Sequence, residues 1–107
     1  MGTLRYGSDH LELDDRTLAH LQVVVVSKLR KGEAFLLSWN AQPERGSGRY
    51  ALWVETGIPI VFRYDGSRPI RINRAWLDAM MERSYTLAGL DLMPETEYPE
   101  PPQTQGP

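Results

Sequence analysis

The segment 14–32, DDRTLAHLQVVVVSKLRKG, contains four consecutive valines, and the fold turns on whether it is a strand or a helix. Valine by itself favours a strand, because its branched Cβ restricts χ1 in a helix and packs well on a pleated surface. The surrounding residues favour a helix. Leu18, Leu21, Val25 and Leu29 recur at helical spacing, Asp14 or Asp15 can accept from the first free backbone N–H groups, and Gly32 supplies a C-terminal stop. Acidic residues at the start and Lys28, Arg30 and Lys31 at the end complement the helix dipole, each by about 0.3–1 kcal/mol. Val23, Val24 and Val26 widen the apolar stripe, so this helix is expected to lie against a sheet and to be covered on one flank.

Outward from that helix, TLRY and HLEL (10–13) are short alternating runs joined by GSD and read as a β-hairpin. AFLLSWN (34–40) reads as a strand, AQPERGSG as a loop, and RYALWVE and IPIVFRY as two further strands separated by Thr56-Gly57. In the last of these Ile58, Ile60, Phe62 and Tyr64 share one face, and Pro59, which has no N–H, belongs near a strand start or on an edge. Asn73 is a candidate cap for a second helix, RAWLDAMMERSY, whose apolar face is Leu77, Met80, Met81 and Tyr85 with Trp76 beside it. Gly89 marks its stop, and LDLM can add a short final strand. The order β-β-α-β-β-β-α, with an optional last β, predicts an α+β domain over residues 1–93: a mainly antiparallel sheet of about five strands with two packed helices. Residues 94–107, PETEYPEPPQTQGP, are expected to form a disordered proline-rich tail.

A chain of 107 residues, 41% hydrophobic and 24% charged, has room for one small core and excludes most multi-part catalytic machines. No apolar run approaches the roughly 18–20 residues of a membrane span, and MGTLRYGSDH lacks an apolar signal core, so a cytoplasmic location without membrane contact is expected. The absence of cysteine excludes disulfides and thiolate metal sites. The net charge is −2, and the last 14 residues carry three acids and no base, which leaves the body close to neutral. Such a body does not by itself point to nucleic acid.

RYDGSR (63–68) lies one residue from the KxDG box with which ATP-dependent ligases and capping enzymes take up a nucleotide covalently. That chemistry needs an amine able to lose its proton, whereas the guanidinium of Arg63 stays protonated and is a poor nucleophile. The two lysines, Lys28 and Lys31, stand outside any such box. Asp-Gly after an alternating strand is a common turn signal, and a turn is the expected role. Arg63, Arg68, Arg71 and Arg74, with Tyr64 as a stacking ring, form a candidate nucleic-acid or phosphate-binding segment that Arg45 and Arg49 could extend. The competing expectation for these arginines is a solvated surface partly paired with Asp65, Asp78 and Glu82. A strand-end His10 and a helix-surface His20 match no metal or triad spacing, and no catalytic residue, metal or cofactor is assigned. Of Trp39, Trp53 and Trp76, at least one is expected to be partly exposed at a partner surface.

MGTLRYGS, DDRTLAHLQVVVVSKLRKGEAFLLSW, GRYALWVETGIPIVFRY and SRPIRINRAWLDAMM together resemble a family of small actinobacterial proteins of unknown function, over about residues 1–93. Its members often carry the automatic label ATP-dependent DNA ligase. The resemblance implies a compact stand-alone domain with an indirect link to DNA metabolism, and it brings no catalytic residues with it. The expected function is a non-catalytic binding or accessory domain, acting through the Arg63–Arg74 segment or an exposed part of the sheet. Its partner would be another protein or a second copy joined at a sheet edge. A nucleic-acid-binding accessory protein is the second reading and a nucleotidyl-transfer enzyme the third.

Overall fold

A computed structural model describes residues 1–40 and 48–99. The elements run β1 (Gly2–Tyr6), β2 (Asp9–Leu13), α1 (Asp15–Arg30), β3 (Phe35–Asn40), β4 (Arg49–Val54), β5 (Ile60–Arg63), α2 (Arg74–Arg83) and β6 (Leu90–Asp91), followed by a 3-10 turn at Glu95–Glu97. This is the expected α+β order, final strand included.

The valine segment is helical because its ends and its packing agree. Asp14 is the cap: its carboxylate accepts the Thr17 N–H at 3.2 Å and the Thr17 hydroxyl at 2.6 Å. Leu18, Leu21, Val24 and Val25 are fully or almost fully buried, while Val23 and Val26 lie half-buried on the flanks. Gly32 ends the run at φ +70°, a conformation that favours glycine.

The strands form two three-stranded sheets rather than one. Sheet A has the order β2-β1-β5 and is antiparallel; sheet B has the order β4-β3-β6, with β3 antiparallel to β4 and parallel to β6. Although only a short connection through Thr56-Gly57 separates β4 from β5, β5 crosses to pair with β1. Gly57, at φ +95°, turns the chain; the Glu55 N–H is taken by the Tyr6 hydroxyl of the other sheet at 3.0 Å; and the Pro59 carbonyl accepts the Gly7 N–H. With its backbone groups satisfied across the gap, the chain has no need of a β4–β5 hairpin.

Each sheet has one covered face. In sheet A the inner rows are Leu11–Leu4–Phe62 and Tyr6–Ile60, and the outer rows are Glu12–Thr3–Arg63 and His10–Arg5–Val61. In sheet B, Phe35, Leu37, Val54 and Leu90 are buried on the inner face, which continues through Trp39, Tyr50 and Leu52. α1 packs against β1 and α2, and Trp76, Leu77 and Met80 of α2 complete the core.

The expectation for His20 changes in the folded chain. His20 is fully buried instead of lying on the helix surface. Its Nδ1 donates to the Arg16 carbonyl at 2.7 Å, its Nε2 accepts the Asn73 N–H at 2.8 Å, and its ring lies against Trp76 with centroids 4.5 Å apart. The i, i+4 position of the Arg16 carbonyl and the arrival of the α2 cap supply the partners that a buried imidazole needs. Past residue 93, the Glu95 carboxylate is bound by the Arg16 guanidinium at 2.6 and 2.7 Å and by Asn73 Nδ2 at 3.0 Å. The Tyr98 carbonyl accepts from Asn73 Nδ2 at 2.8 Å, so these polar partners draw residues 95–98 onto the body. Residues 100–107 of the expected tail lie outside the described residues.

Candidate functional site

The arginine segment starts at the end of β5. Successive residues of a strand face opposite sides, and the structure separates Arg63 from Tyr64 in that way. Arg63 stands on the open outer face of sheet A. Tyr64 turns inward and its hydroxyl donates to Gln22 Oε1 of α1 at 2.6 Å; burial raises its pKa. The two are not brought together as cation and stacking ring.

The Asp65-Gly66 turn that follows is tied to the start of α1. Both backbone N–H groups donate to the Asp15 carboxylate, at 3.1 and 2.8 Å, and these bonds hold its pKa below the usual carboxylate value. The Asp65 side chain pairs with the Met1 ammonium group. The ligase-like string is therefore a fastening between β1, β5 and α1.

Arg68 is exposed in the loop after this turn, and Arg71 is exposed with its carbonyl accepting from Arg16 Nη1 at 2.9 Å. Arg74 is the first residue of α2. The cap of α2 is Asn73, whose Oδ1 accepts the Trp76 N–H at 3.2 Å, as its sequence position suggests. Arg49 is on sheet B, with Nη2 donating to Ser38 Oγ at 2.9 Å, so it belongs to a different surface from Arg63. Arg45 lies outside the described residues.

Lys28 is buried. Its Nζ lies 3.4 Å from the centroid of the Tyr85 ring and 4.0 Å from Glu33 Oε1, and the Tyr85 hydroxyl donates to the same carboxylate oxygen at 3.1 Å. Tyr85 thus closes over Lys28 from beyond the C-terminus of α2, instead of extending that helix's core face as its spacing suggests. Lys31 is exposed at the end of α1. Among the described residues no group of three or more His, Asp or Glu side chains is placed to hold a metal ion, and no helix is long and apolar enough to cross a membrane.

A concavity lies between β2 and sheet B. β2 overhangs the inner face of sheet B and leaves a half-open cleft of about 560 Å³. One wall is the run Ser8–Leu13, and the floor is Trp39 and Asn40 of β3, Tyr50 and Leu52 of β4, and Leu92 beyond β6. Trp39 and Tyr50 stand opposite each other in the β3–β4 ladder and stack, with centroids 5.5 Å apart and planes 16° from parallel. Asp9, His10 and Asn40 place exposed polar groups at the rim. On the far side of Trp39 a smaller recess of about 300 Å³ is lined by polar groups including Arg49, Arg83 and Asp91. Trp39 is one of the three tryptophans singled out from the sequence, but its partner across the ladder is not legible there. The loop between β3 and β4 leaves their register undetermined by spacing.

A family model described as a domain of unknown function (DUF7882) matches residues 1–95. The chain belongs to that family. The match takes in both sheets, both helices and the start of the segment carrying Glu95, so the cleft and the arginine segment both lie inside the family domain. No curated protein and no solved structure matches the chain.

Proposed function

We propose that this domain is a non-catalytic binding module whose ligand site is the cleft between β2 and sheet B. The observation that carries the reading is the Trp39–Tyr50 stack on the floor of an open 560 Å³ cleft. Compact ligand sites fall in the range of about 300–1,000 Å³, with apolar and aromatic linings and a few polar groups that fix orientation. Leu11, Leu13, Leu52 and Leu92 supply the lining, and Asp9, His10 and Asn40 the polar groups. Here an aromatic pair is left partly bare, with Tyr50 52% exposed, although burial would be worth roughly 1.5–3 kcal/mol for a side chain of this size.

The binding reading is favoured over nucleotidyl transfer because Lys28 sits beneath Tyr85 and Arg63 cannot serve as a nucleophile. It is favoured over nucleic-acid binding because Arg63, Tyr64 and Arg49 occupy three different surfaces. The test is a ¹⁵N-correlated NMR titration with a library of aromatic and heterocyclic fragments, nucleotides included. The expected result is shifts confined to residues 8–13, 39–40, 50–52 and 92 that vanish in Trp39→Ala. Ligands that shift only the region of residues 63–74, or a library that leaves the cleft signals in place, would move the function elsewhere.

A further inference from the structure

The outer edge of β4 borders the cleft, to which its Tyr50 and Leu52 belong. β4 pairs only with β3 among the described residues, and it is the longest edge strand in the two sheets. The other edges are short or guarded: β6 has two residues, β5 has four and is entered through Pro59, and β2 overhangs the cleft. Four of the six β4 residues are exposed, with Trp53 at 56%. Leu36 of β3 lies beside Trp53 on the outer face, and more than half of the indole's surface is exposed. No lysine or proline blunts this edge.

We propose that β4 pairs edge to edge with β4 of a second copy of this chain, antiparallel about a twofold axis at Leu52. The reason is that RYALWVE (49–55) is complementary to its own reverse. In that register Arg49 faces the partner's Glu55, Ala51 faces the partner's Trp53, and the symmetry repeats both pairs. All these residues lie on the outer face, so opposite charges meet at both ends and the bulky indole covers the smallest side chain of the strand. On the inner face Tyr50 meets the partner's Val54, and Leu52 meets the partner's Leu52. A shift of one residue would bring inner-face positions opposite outer-face ones, which the pleat forbids. Arg49 uses one N–H on Ser38 Oγ, and a guanidinium has four others. Glu55 is exposed, and its own N–H is already held by the Tyr6 hydroxyl, which ends the ladder where the register requires.

The test is sedimentation equilibrium on the full chain from 5 to 500 μM, with Arg49→Glu, Glu55→Arg and the double exchange, each checked for folding by circular dichroism. The wild type is expected to show a concentration-dependent dimer. Each single exchange makes both symmetric pairs repulsive and should raise the dimer dissociation constant at least tenfold, equivalent to about 1.4 kcal/mol. The double exchange should restore it to within about threefold. Leu52→Cys provides a second readout, because in a chain without cysteine only a twofold axis at position 52 gives rapid disulfide-linked dimer under mild oxidation. A wild type that is monomeric at 500 μM, or a dimer indifferent to the single exchanges, overturns the proposal. Loss of the dimer in both singles without recovery in the double overturns the register.

Discussion

Replacing His20 by Leu tests whether the buried imidazole is a structural joint between the helices. The ring fills a fully buried site, and its Nε2 accepts the N–H of Asn73, which caps α2. Leucine has similar volume and opens little cavity, but it leaves that N–H without a partner. An orphaned buried donor costs about 1–3 kcal/mol, and loss of the ring contact with Trp76 adds up to about 1 kcal/mol. The Arg16 carbonyl keeps its helical bond, so no second orphan appears. The expected loss at pH 7.5 is about 2–3 kcal/mol, measured by urea unfolding followed through tryptophan fluorescence. In a domain of this size it corresponds to a fall in Tm of about 10–20 °C.

The pH dependence gives the same substitution a sharper signature. Burial lowers the pKa of His20 from 6.5, and a protonated Nε2 would point a hydrogen at the Asn73 N–H. The unfolded chain therefore binds the proton first. The contribution of His20 is present in full above pH 6.5 and is lost as the pH falls through 6.5 toward the folded value. Wild type should destabilise more steeply than His20→Leu between pH 7.5 and 5, so the gap between them narrows by about 1.4 kcal/mol for each unit by which the folded pKa lies below 6.5. Parallel pH profiles, or a variant within about 0.5 kcal/mol of wild type at pH 7.5, would refute the reasoning.

Glu95 follows the carboxylate rule in the acid range. The Arg16 guanidinium, helped by Asn73, lowers its pKa to about 2, so its contribution is present above 4.5 and fades as the pH falls toward 2. Glu95→Gln should cost about 1–2 kcal/mol at pH 6, a value reduced for the partial exposure of the pair, and almost nothing at pH 2; an undiminished difference at pH 2 contradicts the ion-pair account. Gly89→Ala forces a side chain into φ +79° and sets its Cβ 2.5 Å from the Leu36 carbonyl oxygen, whereas Gly57→Ala meets only the backbone penalty at φ +95°. Calorimetry should show a loss of about 3 kcal/mol or more at residue 89 against about 1–2 at residue 57, and equal losses would rule out the close contact as the cause. Incubation with α-labelled ATP and Mg²⁺ should leave no label on the chain, and a covalent adduct at Lys28 or Lys31 would end the non-catalytic reading. Neutralising Arg68, Arg71 and Arg74 together should leave single-stranded DNA retention at 50 mM salt as low as in wild type, while a salt-sensitive shift lost in the triple variant would restore the arginine segment as the working surface.

The sequence carried the local decisions. Helix α1 was readable through its valines because Asp14, the leucine spacing and Gly32 all act within one segment. The Asn73 cap and the Asp-Gly turn were readable for the same reason, and the alternation of β5 placed Phe62 on the inner face. The pairing of strands was not readable, because a five-residue connection after β4 fits a hairpin as well as a crossing, and only the partners waiting on β1 and at Tyr6 separate the two. His20 looked like a surface residue because its buried state depends on an N–H 53 positions away. Glu95 looked like part of a tail because Arg16, which draws it in, is 79 positions away.

The candidate site divides in the same way. Composition and residue chemistry alone ruled out Arg63 as a nucleophile, since a permanently charged guanidinium is so in any fold. Whether Arg63 and Tyr64 could act together, whether Trp39 would meet Tyr50 and whether Trp53 would remain bare depended on strand register and on which face each sheet covered. Capping and periodicity are short-range interactions written along the chain; a cleft between two sheets exists only after distant segments have used up each other's hydrogen bonds and apolar faces.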